Sequence, residues 1–172
     1  MGEIKSTLDL VMERTRHLSL SAEEKETQRR DAFAKRLQGL LQQYADDALS
    51  VDEVRKRIAD LQSEMDISGP GLPAEAVIQR VDPDGDNDGW LALLEHLAPG
   101  VYRPLGEILE AYKGKQAALL DSGRQLLGDR LAREDGITGS AVAPNPHKDA
   151  ASRKKLTDLQ QVTRTKIAAL AG

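Results

Sequence analysis

The chain of 172 residues contains no cysteine, which excludes disulfide staples, thiolate metal centres and cysteine nucleophiles. Aromatic residues are almost as scarce, with one Trp, one Phe and three Tyr. Large aromatic rings supply much of a compact core's buried area, so packing has to come from Leu, Ile, Val and Ala seams between helices. Long apolar runs are missing too. The densest, Leu91 to Leu94, falls far short of the roughly 20 residues needed to span a bilayer. Excess positive charge is absent: 24 Lys and Arg stand against 28 Asp and Glu, for a formal net charge of −4. A general nucleic-acid binder would show the opposite balance, because it must replace counterions along phosphates. The opening Met1-Gly2-Glu3-Ile4-Lys5 enters an amphipathic pattern without the apolar core of a signal peptide, so a soluble, cytoplasmic protein without a membrane span is expected.

What the sequence does contain is helical periodicity. Ile4, Leu8, Val11 and Leu18 mark a first helix face, ending near His17. Ser21 with Glu24, and Ser50 with Glu53, are capping boxes, in which the hydroxyl and the carboxylate each satisfy an otherwise orphaned backbone amide. They open a helix carrying Phe33, Leu37, Leu40, Leu41 and Tyr44, and another carrying Val54, Ile58, Leu61 and Met65. Ser68 to Pro73, with two prolines and two glycines, breaks the pattern. Short helices are predicted over 74–81 and 90–97 on either side of an acidic loop. A long helix follows from Pro104 to about Arg133, with Gly114, Gly123 and Gly128 compensated by close helix contact. Gly136 to Pro146 reads as a linker, and Leu156, Leu159, Val162, Thr163, Ile167 and Leu170 as a last helix, N-capped by Ser152.

The expected fold is all-α: an elongated multi-helix arrangement with a helix-loop-helix module in the middle. It divides into N-terminal amphipathic helices at 1–67, the module and its long helix at 74–134, an irregular linker at 135–148 and a C-terminal helix at 149–172.

Chemistry concentrates in one place. The run Asp82-Pro83-Asp84-Gly85-Asp86-Asn87-Asp88-Gly89-Trp90-Leu91-Ala92-Leu93-Leu94-Glu95 resembles an EF-hand calcium loop. With Asp84 first, carboxylates fall at positions one, three and five, glycine at six, an aliphatic residue at eight and glutamate at twelve. Starting at Asp82 instead puts Asn87 at the glycine place and Leu93 at the glutamate place, so only one register works. The resemblance implies a single Ca²⁺ held by Asp84, Asp86, Asp88, the Trp90 carbonyl and Glu95, with Gly89 allowing the sharp turn. The chain departs from the family pattern at three points. Pro83 precedes the first ligand, Ala92 offers no side-chain oxygen at position nine, and no second loop is present to pair with this one. The alternative is a solvated acidic turn with Asp88 as helix N-cap.

Other constellations are bland. His17, His96 and His147 form no zinc-protease pattern, and Ser152 to Lys155 lacks the companion motifs of a Ser-x-x-Lys enzyme. The basic residues of the last helix read as a solvated face. The opening residues Met1 to Ser6 and the Gly139 to Val142 stretch resemble a group of uncharacterised bacterial proteins. The expectation is therefore a non-catalytic helical interaction protein with one EF-hand-like calcium site, meeting a protein partner or itself. The alternative is a structural, coiled-coil-like homo-oligomer whose acidic loop holds no metal.

Overall fold

A computed structural model describes residues 21–139 and 141–171. The helix expected over Ile4 to His17 lies outside them. The fold is all-α, with no strand among the described residues. Its helices are α1 (Ala22–Ala45), α2 (Val51–Glu64), α3 (Gly71–Ile78), α4 (Asp88–Leu97), α5 (Pro99–Glu134) and α6 (Ala150–Ala168), with a 3₁₀ turn at Pro146–Lys148.

Both capping boxes form. Ser21 accepts from the Glu24 amide at 3.1 Å while Glu24 accepts from the Ser21 amide at 2.7 Å, and Ser50 with Glu53 repeats the pair at 3.3 and 2.9 Å. The two helices also end alike. Ala48 N–H reaches the Gln43 carbonyl and Asp47 N–H that of Tyr44; Ile67 reaches Gln62 and Asp66 reaches Ser63. These are Schellman ends, which need a left-handed residue. Asp47 (φ 56°) and Asp66 (φ 50°) take that conformation where glycine is usual. Each end returns an apolar residue, Leu49 or Ile67, to the core.

That core runs through every helix: Phe33, Leu37 and Leu41 from α1, Val54, Ile58 and Leu61 from α2, Val77 and Ile78 from α3, Leu93 and Leu94 from α4, Leu105 and Leu109 from α5, and Ile167 from α6. It crosses the break at 68–73, so the segments on either side share one interior.

Element boundaries differ from the sequence expectation at the prolines. α3 begins at Gly71 rather than Ala74, because Pro73 sits in its first turn, where a missing N–H has no helical acceptor to lose. α5 begins at Pro99 and carries Pro104 inside. The carbonyl this proline leaves unpaired belongs to Gly100, which is exposed and open to water. α6 is capped by Asp149, whose carboxylate accepts from the Ser152 amide at 2.8 Å; Ser152 is not the cap. Ser152 instead faces Gly123 of α5, where an added Cβ would meet its Oγ and the Pro146 Cβ at 3.0 Å. Close contact thus explains Gly123, whereas Gly114 faces open space. Beyond Tyr112, α5 buries only Gly123, so its remaining 22 residues leave the core as an arm backed by the 3₁₀ turn and α6.

Candidate functional site

The acidic loop joins α3 to α4 through residues 79–87. Two short helical bonds, Arg80 to Val77 at 3.0 Å and Val81 to Ile78 at 3.1 Å, bring the chain out of α3. The loop is then stitched from within. Gly85 N–H meets the Asp82 carbonyl at 2.9 Å, and the Asp82 carboxylate accepts from the Asp84 amide at 3.3 Å, a side-chain-supported turn.

The centre of the stitch is Asn87, which sequence reasoning passed over. Only 6% exposed, it donates to the Asp82 and Gly85 carbonyls at 2.7 and 3.1 Å and accepts from the Asp82 amide at 3.2 Å. Three of the four bonds an amide can make are thereby filled inside the loop. Asn87 is also the α4 N-cap position, but its side chain is turned into the loop and caps nothing. Asp86 takes over part of that task, accepting from the Asp88 amide at 3.0 Å.

The five residues of the calcium pattern do not converge in this arrangement. Asp84 turns toward α5 and α6, where its carboxylate accepts from the Tyr112 hydroxyl, from Gln116 at 2.7 Å and from Gln160 at 2.6 Å. Neighbouring Asp82 accepts from Arg164 at 3.3 Å. Asp88 is the first residue of α4, Gly89 the second and Trp90 the third, so the helix begins where a calcium loop would still be turning. Gly89 is not among the glycines with positive φ. The Trp90 carbonyl lies in the helical ladder, and Asp88 and Glu95 rise from Cα atoms about 10 Å apart along the axis, since seven residues climb about 1.5 Å each. Both are exposed. Among the described residues no group of three or more Asp, Glu or His side chains is placed to hold a metal ion. In this conformation the loop residues do not fit a calcium cage.

Gly89 has a different local use. The Tyr44 hydroxyl donates to its carbonyl at 2.8 Å, and an added Cβ would lie 3.0 Å from that hydroxyl. Tyr44 also meets Trp90 edge-on with ring centres 5.4 Å apart, and the Arg80 guanidinium lies 5.7 Å from the Trp90 ring centre. The start of α4 is thus pinned to the end of α1.

The same arrangement fixes the protonation of its two tyrosines. Burial, followed by the hydrogen bond to Asp84 and the negative charge of Asp84 and Asp82, pushes the Tyr112 hydroxyl well above its ordinary pKa, keeping it a proton donor. Burial, then the charge of Asp47, raises Tyr44 as well. Tyr112, Gln116, Gln160 and Arg164 carry no local motif. Their spacing of four residues within each helix, facing the loop, is the only sequence trace, and it has meaning only once the helices are docked.

No family model, no curated protein and no solved structure matches the chain. Among the described residues, no helix is long and apolar enough to cross a membrane.

Proposed function

We propose that this chain is a non-catalytic helical interaction protein, cytoplasmic in location, whose acidic loop acts as an internal clasp seating α5 and α6 on the rest of the fold. One observation carries the clasp: a single carboxylate, Asp84, is shared by Tyr112 and Gln116 of α5 and Gln160 of α6. A side chain used in this way positions helices; it is not free to move protons for a substrate. Hydrogen exchange of α6 amides tests the clasp directly. Asp84→Ala is expected to speed exchange across Gln160 to Ile167 while leaving α1 and α2 unchanged. Unchanged protection of α6 would defeat the clasp.

The EF-hand-like calcium site is the second reading, favoured by the spacing from Asp84 to Glu95 and by Asp86, Asp88 and Glu95 having no salt-bridge partner among the described residues. It requires the first turn of α4 to open and Asp84 to leave its three donors. Trp90 lies inside the pattern and would sensitise a bound terbium ion. Emission that is abolished by Glu95→Gln and displaced by calcium would establish the site. Its absence in the folded protein would leave the loop as a clasp alone. Because both readings use the same Asp84 oxygens, calcium binding would have to raise α6 exchange by the same route as Asp84→Ala.

A further inference from the structure

Charge is divided unevenly along the described chain. From Ser21 to Tyr112 there are 10 Lys and Arg against 19 Asp and Glu, and from Lys113 to Ala171 there are 11 against 6. The second stretch is the arm and α6. Only Arg124, Arg130 and Arg164 of its cations meet a carboxylate among the described residues. The arm itself carries 5 Lys and Arg against 3 Asp and Glu, its excess lying at Lys113 and Lys115 beside the body, and the larger share of the positive charge runs along residues 148–166, with 6 Lys and Arg against 2 Asp.

The basic surface has a shape as well as a sign. On α6, Lys155, Leu159, Val162 and Lys166 recur at intervals of four, three and four, which places them on one face. Leu159 and Val162 line a groove of about 270 Å³ against Ile108 and Ala111 of α5, with Lys115 and Lys166 at its edges. Val162 is 53% exposed there, an unusual position for a branched apolar side chain in the middle of a helix. The groove is mainly apolar, and its charged lining, Lys115 and Lys166 against Glu107, is net positive.

The body carries a surface of the matching kind. Asp88, Ala92 and Glu95 lie at intervals of four and three on one face of α4, with both carboxylates exposed and a small residue between them. Neither carboxylate accepts a salt bridge among the described residues.

We infer that the α5–α6 groove of one copy receives the acidic face of α4 from a second copy, an apolar contact flanked by opposite charges. The inference rests on the interaction reading above and is independent of the clasp. Each copy would present both halves of the contact. Head-to-tail association of this type closes into a ring or grows into a chain, according to the rotation between copies.

Sedimentation of the full chain at about 0.05 M and about 0.5 M salt tests it, since screening acts most strongly on exposed pairs. The mass is expected to rise with concentration at low salt and fall to that of a monomer at high salt. Lys155→Glu with Lys166→Glu, and separately Asp88→Lys with Glu95→Lys, should each weaken association by about tenfold or more. Circular dichroism of each variant should match the parent, because all four side chains are exposed. Mixing the two variants should restore association, since the reversed charges again face opposite partners. A parent that stays monomeric at low salt overturns the inference, as does association untouched by either reversal or unrestored by mixing. If the monomer is retained on heparin, the groove serves a polyanion and the interaction reading survives without a second copy. A monomer that heparin also fails to retain removes both.

Discussion

Replacing Asp84 by alanine removes the acceptor shared by two helices, and its cost can be worked from what each donor loses. Gln116 and Gln160 are partly exposed and can turn to water, so their bonds contribute about 0.5 kcal/mol each, the low end for a hydrogen bond. Tyr112 is different. At 2% exposure, its hydroxyl keeps the Gln116 amide, which donates to it at 3.2 Å, but loses the acceptor for its own proton, and an orphaned buried donor costs about 1–3 kcal/mol. The expected loss for Asp84→Ala is therefore about 2 kcal/mol, or a fall of about 4–8 °C in Tm for a chain of this size. Asp84→Asn keeps one oxygen for Tyr112 and should lose about half as much. The double variant Asp84→Ala with Tyr112→Phe separates the causes. If the orphaned hydroxyl dominates, adding Tyr112→Phe costs little more, and the two changes are coupled by about 1 kcal/mol or more. Urea unfolding of the four proteins gives the cycle. A loss below about 0.5 kcal/mol for Asp84→Ala, or strict additivity with Tyr112→Phe, would refute the argument that this carboxylate holds α5 and α6.

Three further outcomes follow from the same geometry. Asn87→Ala empties the centre of the loop and exposes three backbone groups to incomplete pairing, so a loss of about 2 kcal/mol in urea unfolding is expected; a neutral result would mean the loop closes without it. Asp66→Gly relieves a left-handed non-glycine residue while giving up only an exposed pair with Arg29, and should raise Tm by about 2–4 °C in a thermal melt; a lower Tm would show that the aspartate contributes more than its backbone strain costs. The raised Tyr112 pKa gives a pH dependence with a defined sign. Above the ordinary tyrosine pKa of about 10 the unfolded chain releases this proton and the folded one keeps it, so stability falls as pH rises from there toward the folded value. Thermal melts across that range should be flatter for Tyr112→Phe than for the parent. Equal slopes would remove Tyr112 from the account.

The helices were largely legible because their signals are local. The serine and glutamate pairs at 21 and 24 and at 50 and 53 each concern one turn of backbone, and the apolar repeats of α1 and α2 state which face is buried wherever the helix docks. The bounds of α3 and α5 were less legible, since a proline ends a helix or sits harmlessly near its start according to where the chain before it goes. Pro73 and Pro104 were both settled by segments preceding them.

The acidic loop marks the division most clearly. Sequence alone determined that three aspartates, a glycine and a glutamate stand at calcium-loop spacing, and that no other segment offers comparable chemistry. Their directions were decided by tertiary structure. Asn87 folds the loop inward, α4 starts at Asp88, and Tyr112, Gln116 and Gln160 arrive from 28, 32 and 76 residues away to take the first carboxylate. Spacing along a chain constrains where a carboxylate is attached. Which atoms it meets depends on donors that only the packed helices bring within hydrogen-bond distance.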